Sequence, residues 1–311
     1  MSDSKEILAE DKQRAANANP LWREPQFRRF LGSTAMLVTA FSVPLFELLR
    51  FAIGSQLYSH IPLIAGVSAY LVWSERARLP GGSPPAAGAA LGFMLGGIAA
   101  GACWWLVPAG PAPEDRLVFS TLSFLLLVAA LCSVFLGRAR LRAIAFPLAF
   151  LVFMIPFPVV MTDHIETFLQ HGSADVAYGL FTIAGTTVYH TDLIFKLPGI
   201  TLEVAPECSG IHSSLVLLIT SVLAGYFFLR TTWKRVLLAL VVIPLALLRN
   251  GFRVFVLGEL CVRVSPDMID SPIHHHGGPI FFAASLVPLG FLLYYLAKSD
   301  RPVGTLQPRP E

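Results

Sequence analysis

The stretch LVLLITSVLAGYFF, residues 215–228, contains no charged residue and no proline. About 20 apolar residues in helix cross the roughly 30 Å hydrocarbon core of a bilayer, and the run extended to 210–229 meets that length. Seven more apolar stretches read the same way, at 31–49, 55–74, 86–108, 117–136, 144–162, 236–257 and 279–297. Of the 311 residues, 55% are hydrophobic and 14% charged, far from the balance of a soluble domain. The expected fold is an all-α polytopic membrane protein with about eight transmembrane helices.

Charge orients the spans. Lys5, Lys12, Arg14, Arg23, Arg28 and Arg29 precede the first, and alternate connections then carry Arg76 and Arg78, Arg138, Arg140 and Arg142, Arg230, Lys234 and Arg235, then Lys298 and Arg301. Cytoplasmic loops collect Lys and Arg, so these connections are expected on the cytoplasmic side, as are both termini. Residues 1–30 show no cleavable signal pattern and read as a cytoplasmic tail. A single membrane domain is expected over 31–297, with a second tail at 298–311. The net charge of +3 is dispersed among loops instead of forming a stripe, which argues against a nucleic-acid partner.

The other face collects the chemistry. On this topology His60, His164, His171, His190, His212 and His274 to His276 all fall outward, together with Cys208. The connection 163–209 spaces Ile165, Phe168, Leu169, Val176 and Leu180 at near-helical intervals, predicting interfacial helices. It continues as TDLIFKLPGITLEV, which turns at Pro198-Gly199 like a hairpin. A small outward cap is expected between helices five and six, leading into PECSGIHSS, residues 206–214.

A thiol at the first turn of a helix meets unpaired N–H groups and the positive end of the dipole, which favour thiolate. Cys208 is therefore a candidate nucleophile, with Ser209 or Gly210 capping the helix behind it. Cys103 and Cys132, inside apolar helices, read as small hydrophobes; a disulfide between Cys208 and Cys261 is the competing reading. Arg249 and Arg253, four residues apart on one helix face with Asn250 beside them, are costly near a membrane span. Either they snorkel to water or they stabilise negative charge in a cleft. At most two of the three consecutive histidines His274, His275 and His276 can face one site. Thiol, guanidinium and imidazole at the ends of three successive spans fit acyl transfer, with no cofactor or metal expected.

In order along the chain, YSHIPLIAGVSAYLVW (58–73), AFPLAFLVFMIPFP (145–158), KLPGITLEVAPECSGIHS (196–213), LLRNGFRVFV (247–256) and HHHGG (274–278) resemble the exosortase and archaeosortase membrane enzymes. The resemblance implies a cysteine transpeptidase on the outer face of the bacterial cytoplasmic membrane. Its substrates would be proteins ending in a sorting signal: a short motif such as PEP, a transmembrane helix and a basic cluster. By motif it assigns Cys208 as nucleophile, Arg253 as the arginine and His274 as the histidine, His274 and Gly278 standing as in HxxxG. His275 is the rival imidazole, and Arg249, Asn250, Glu207, His60 and His212 are supporting candidates. The acceptor that resolves the intermediate is left open. Pro206 and His212 depart from the family pattern. A transporter binding an anion through Arg249, Arg253 and His60 is the alternative from another class, and a non-catalytic accessory of polysaccharide export is a third.

Overall fold

A computed structural model of the chain describes residues 25–76, 79–80, 83–107, 112–206, 209–270 and 277–300. It divides into two compact units, residues 1–159 and 160–311. Among the described residues, five helices are long and apolar enough to cross a membrane, or up to seven if each of two bent pairs counts as one span. The fold is helical and polytopic, but this count stays below the expected eight. Prolines account for much of the difference.

In the first unit, the apolar run expected at 31–49 is divided into α1 (Pro25–Ala40) and α2 (Ser42–Gly54), bent by 68°. Pro44 lacks the N–H that a continuous helix would send to Ala40. Helix α3 (Ile61–Glu75) has 15 residues, fewer than a perpendicular crossing needs. Helices α4 (Ala87–Leu106) and α5 (Pro113–Phe135) pack on each other through small residues. The Ser123 hydroxyl donates to Gly97 O at 2.7 Å, and a Cβ on Gly97 would stand 2.8 Å from Leu127 Cγ. Where lipid removes the hydrophobic drive between helices, such close backbone approach supplies the packing.

The short helix α6 (Gly137–Ala143) follows, then α7 (Ala145–Phe150) and one 3₁₀ turn at Leu151–Met154. The span expected at 144–162 breaks there. Pro156 and Pro158 push the residues before them toward extended backbone, and Ile155 has φ −77° and ψ 118°. Tyr58 Oη meets Phe157 N at 3.3 Å, and Ser68 Oγ donates to Pro147 O at 2.6 Å, so side chains satisfy polar groups at the break.

The second unit begins with α8, whose range is Val159–Ile183. One continuous helix replaces the several interfacial helices expected between 163 and 185. The expected hairpin is part of a three-stranded antiparallel sheet, ordered β1 (Tyr189–Thr191), β2 (Ile194–Leu197) and β3 (Ile200–Glu203). Its β2–β3 turn lies at Pro198-Gly199, as read, with Gly199 at φ +84°. Alternation places Phe195, Leu197 and Leu202 inward, where with Ala174, Ala177 and Phe181 of α8 they form one core.

The remaining helices are α9 (Ile211–Phe228), α10 (Thr232–Leu240), α11 (Val242–Arg263) and α12 (Gly278–Ser299). Helices α9, α11 and α12 pack pairwise on one another. At the far end, Lys234 Nζ donates to Asp300 Oδ1 at 2.7 Å and to Ser299 Oγ at 2.8 Å. Asp300 also accepts from Thr231 Oγ1 at 2.6 Å and Arg230 N at 2.8 Å. The ammonium of Lys234 first, then the Thr231 hydroxyl, hold its carboxyl well below the usual carboxylate range.

Glycines on one face of α11 bring it against α8 and the sheet. A Cβ on Gly251 would lie 2.6 Å from Val176 Cβ, and one on Gly258 would lie 2.4 Å from Phe181 Cζ. Phe181 is fully buried, so its ring has nowhere to retreat. Gly258→Val is expected to destabilise the protein by about 1–3 kcal/mol through overpacking, read as a lower unfolding midpoint in detergent. An unchanged midpoint would show that the α8–α11 contact is loose.

Candidate active site

Strand β3 delivers the chain to the turn that precedes α9. Val204 N donates to Leu193 O at 3.0 Å, and the buried Gln170 of α8 donates from Nε2 to Val204 O at 2.9 Å. Two residues later Pro206 O accepts from Ser209 N at 3.0 Å. The approach to the turn is thus fixed from the sheet and from α8.

Gly210 is the N-cap of α9, at φ +74° and ψ 16°. This is one of the two cap positions read from the sequence. Left-handed backbone favours glycine, and space confirms the choice: a Cβ here would stand 3.0 Å from Arg249 Nη2 and 3.2 Å from Asn250 Oδ1. Ser209 is buried beside it, 2% exposed.

Arg249 and Asn250 of α11 reach across to this turn. Arg249 Nη2 donates to Gly210 O and to Ser214 Oγ, each at 3.2 Å, while Asn250 Nδ2 donates to Ser209 O at 3.3 Å. Arg249 is 8% exposed and Asn250 3%. Snorkelling to water is therefore excluded for Arg249. Its other terminal nitrogen, Nη1, is buried with no hydrogen-bond partner among the described residues, a costly arrangement for a cationic donor. Arg253, one turn further along α11, is half-buried.

Glu207, Cys208, His274, His275 and His276 lie outside the described residues. The structure places the helices that follow them, α9 and α12, in mutual contact and each against α11, which bears both arginines. Cys261, the alternative disulfide partner, is buried at 2% exposed and is unpaired among the described residues. His212 is exposed on the first turn of α9. His60 belongs to the first unit, where Nδ1 lies 3.1 Å from Leu57 O and Nε2 lies 3.2 Å from Phe153 O.

The sequence carried no sign of Ser214 as a partner of Arg249, because nothing in their spacing of 35 residues marks a contact. It also left Glu259 unremarked. That carboxylate accepts from the Thr186 hydroxyl and pairs with Arg263, fastening the end of α11 to the segment between α8 and β1. His171 of α8 meets Asp192 Oδ1 at 2.9 Å. Helix α8 also carries Asp163, His164, Glu166 and Asp175, and the pair of His171 with Asp192 is exposed.

These features define a polytopic membrane protein with a glycine-capped helix entry held by buried donors of a neighbouring span. The chain belongs to the transmembrane exosortase family of the EpsH type, whose sequence model matches residues 48–291. No curated relative and no solved structure matches it.

Proposed function

We propose that the protein is a membrane cysteine transpeptidase that cuts C-terminal sorting signals at the outer face of the cytoplasmic membrane. One observation supports it most directly: the turn immediately after Cys208 is bound by the helix that carries both arginines. Family membership supports the same reading. In this mechanism Cys208 attacks a peptide carbonyl after giving its proton to His274 or His275. Arg253 stabilises the tetrahedral oxyanion. The C–N bond then breaks, the imidazolium protonates the leaving amine, and the acyl group remains as a thioester on Cys208. Water or an amine or hydroxyl of a second molecule resolves it. A substrate with its own transmembrane helix and basic tail, oriented by the same charge rule, presents its cleavage point at the interface.

An anion transporter draws support from the two bent helix pairs. Against it, His60 has both ring nitrogens directed at backbone carbonyls, and Arg249 is bound by its own chain.

Hydroxylamine attacks thioesters but spares peptide bonds. Vesicles holding the protein and a reporter with a short motif, a transmembrane helix and a basic tail should, on adding hydroxylamine, release the reporter's N-terminal part as a hydroxamate. Cleavage that yields only the free acid at every hydroxylamine concentration would argue against the thioester.

A further inference from the structure

The turn behind Cys208 is gripped by Arg249 and Asn250 in a way that exceeds what capping a helix requires. Gly210 already supplies the left-handed cap, and Ser214 N already donates to Gly210 O at 3.0 Å as the first helical bond. To these α11 adds Arg249 Nη2 on Gly210 O and Ser214 Oγ, and Asn250 Nδ2 on Ser209 O. Both side chains are withdrawn from water. A buried guanidinium and a buried amide are expensive in a bilayer protein, and here both are aimed at the backbone of two consecutive residues.

We propose that Arg249 and Asn250 are positioning residues that fix Ser209 and Gly210, and through them the angle at which residue 208 joins α9. The inference rests on Cys208 being the nucleophile. Consecutive Cα atoms are about 3.8 Å apart across a rigid peptide, so the place of Ser209 bounds the positions open to its neighbour. The N-terminal field that favours thiolate fades within about one turn. A misplacement of about 1 Å in a reacting group costs on the order of 10²-fold in rate. The clamp therefore acts on the reactivity of the thiol as well as on its place.

The experiment uses the full chain in vesicles. Cys208 is labelled with iodoacetamide across a range of pH and quantified by peptide mass mapping, beside kcat and KM for the reporter. Three variants loosen the same turn by different means: Asn250→Ala removes an uncharged donor, Arg249→Lys keeps the charge but loses the planar fork, and Gly210→Ala forces the turn off its left-handed geometry. Each is expected to raise the half-labelling pH by about one unit, which is about tenfold slower labelling near neutrality. Each should also lower kcat by about 10- to 100-fold with KM changed less than about twofold. Because Arg249→Lys preserves charge and Asn250→Ala never carried one, a shift shared by both reports geometry and not electrostatics. The proposal is overturned if the labelling profile stays at wild type in the variants that insert. It is equally overturned if Arg249→Lys raises KM alone, since its Nη1 edge would then be binding substrate. Should Cys208→Ala still process the reporter, the nucleophile assignment fails, while the labelling profile still decides whether the clamp exists.

Discussion

Cys208→Ala is expected to stop reporter processing, by at least about 10³-fold, and to leave full-length reporter in the membrane beside a folded, inserted enzyme. No thioester can form without the sulfur. Alanine removes a single heavy atom and adds no charge, so it should leave the described turn intact: Ser209 and Gly210 are held from α11, independently of what side chain precedes them. Processing is followed by the mobility of the reporter on gels, and insertion by recovery of the variant from the membrane fraction with an unchanged unfolding midpoint. Wild-type processing would end the catalytic reading. Loss of processing together with loss of the folded protein would make Cys208 a packing residue. A structural disulfide with Cys261 predicts a third pattern, in which Cys261→Ala is as damaging as Cys208→Ala.

Arg253→Lys is expected to reduce kcat by about 10² to 10³-fold while the protein still inserts. A lysine keeps the charge but offers a compact ammonium in place of a planar fork, and cannot present two parallel N–H groups to an oxyanion. The neighbouring Arg249→Lys should lose less, because Arg249 acts through the turn. Single-turnover rates on the reporter separate the two. Equal losses, with equal labelling of Cys208, would mean that both arginines touch the reacting group. Full activity of Arg253→Lys would return Arg253 to the role of a snorkelling cation.

The membrane character was legible because it is a sum over many residues: LVLLITSVLAGYFF needs no partner to be apolar, and α9 forms where it was read. The number of unbroken helices was less legible, for a local reason. Hydropathy averages over Pro44, Pro156 and Pro158, whereas the backbone must find substitutes for the bonds those residues cannot make. The sheet followed the same rule in miniature, since TDLIFKLPGITLEV announces two strands and its turn, but Tyr189–Thr191 is too short to announce itself without the strand it pairs with. In the site, Arg249, Asn250 and Gly210 were each visible as unusual residues for their surroundings. Their meeting was not visible, because a contact across 39 residues leaves no period in the chain.

The anchorage of Asp300 has a practical corollary for anyone handling the molecule. One carboxylate collects four donors, from the amides of Arg230 and Thr231, the Thr231 hydroxyl and the Lys234 ammonium. A fluorophore or affinity handle appended behind it therefore departs from a bolted point at the α9–α10 link. Trimming the chain one residue too far would strand all four donors together.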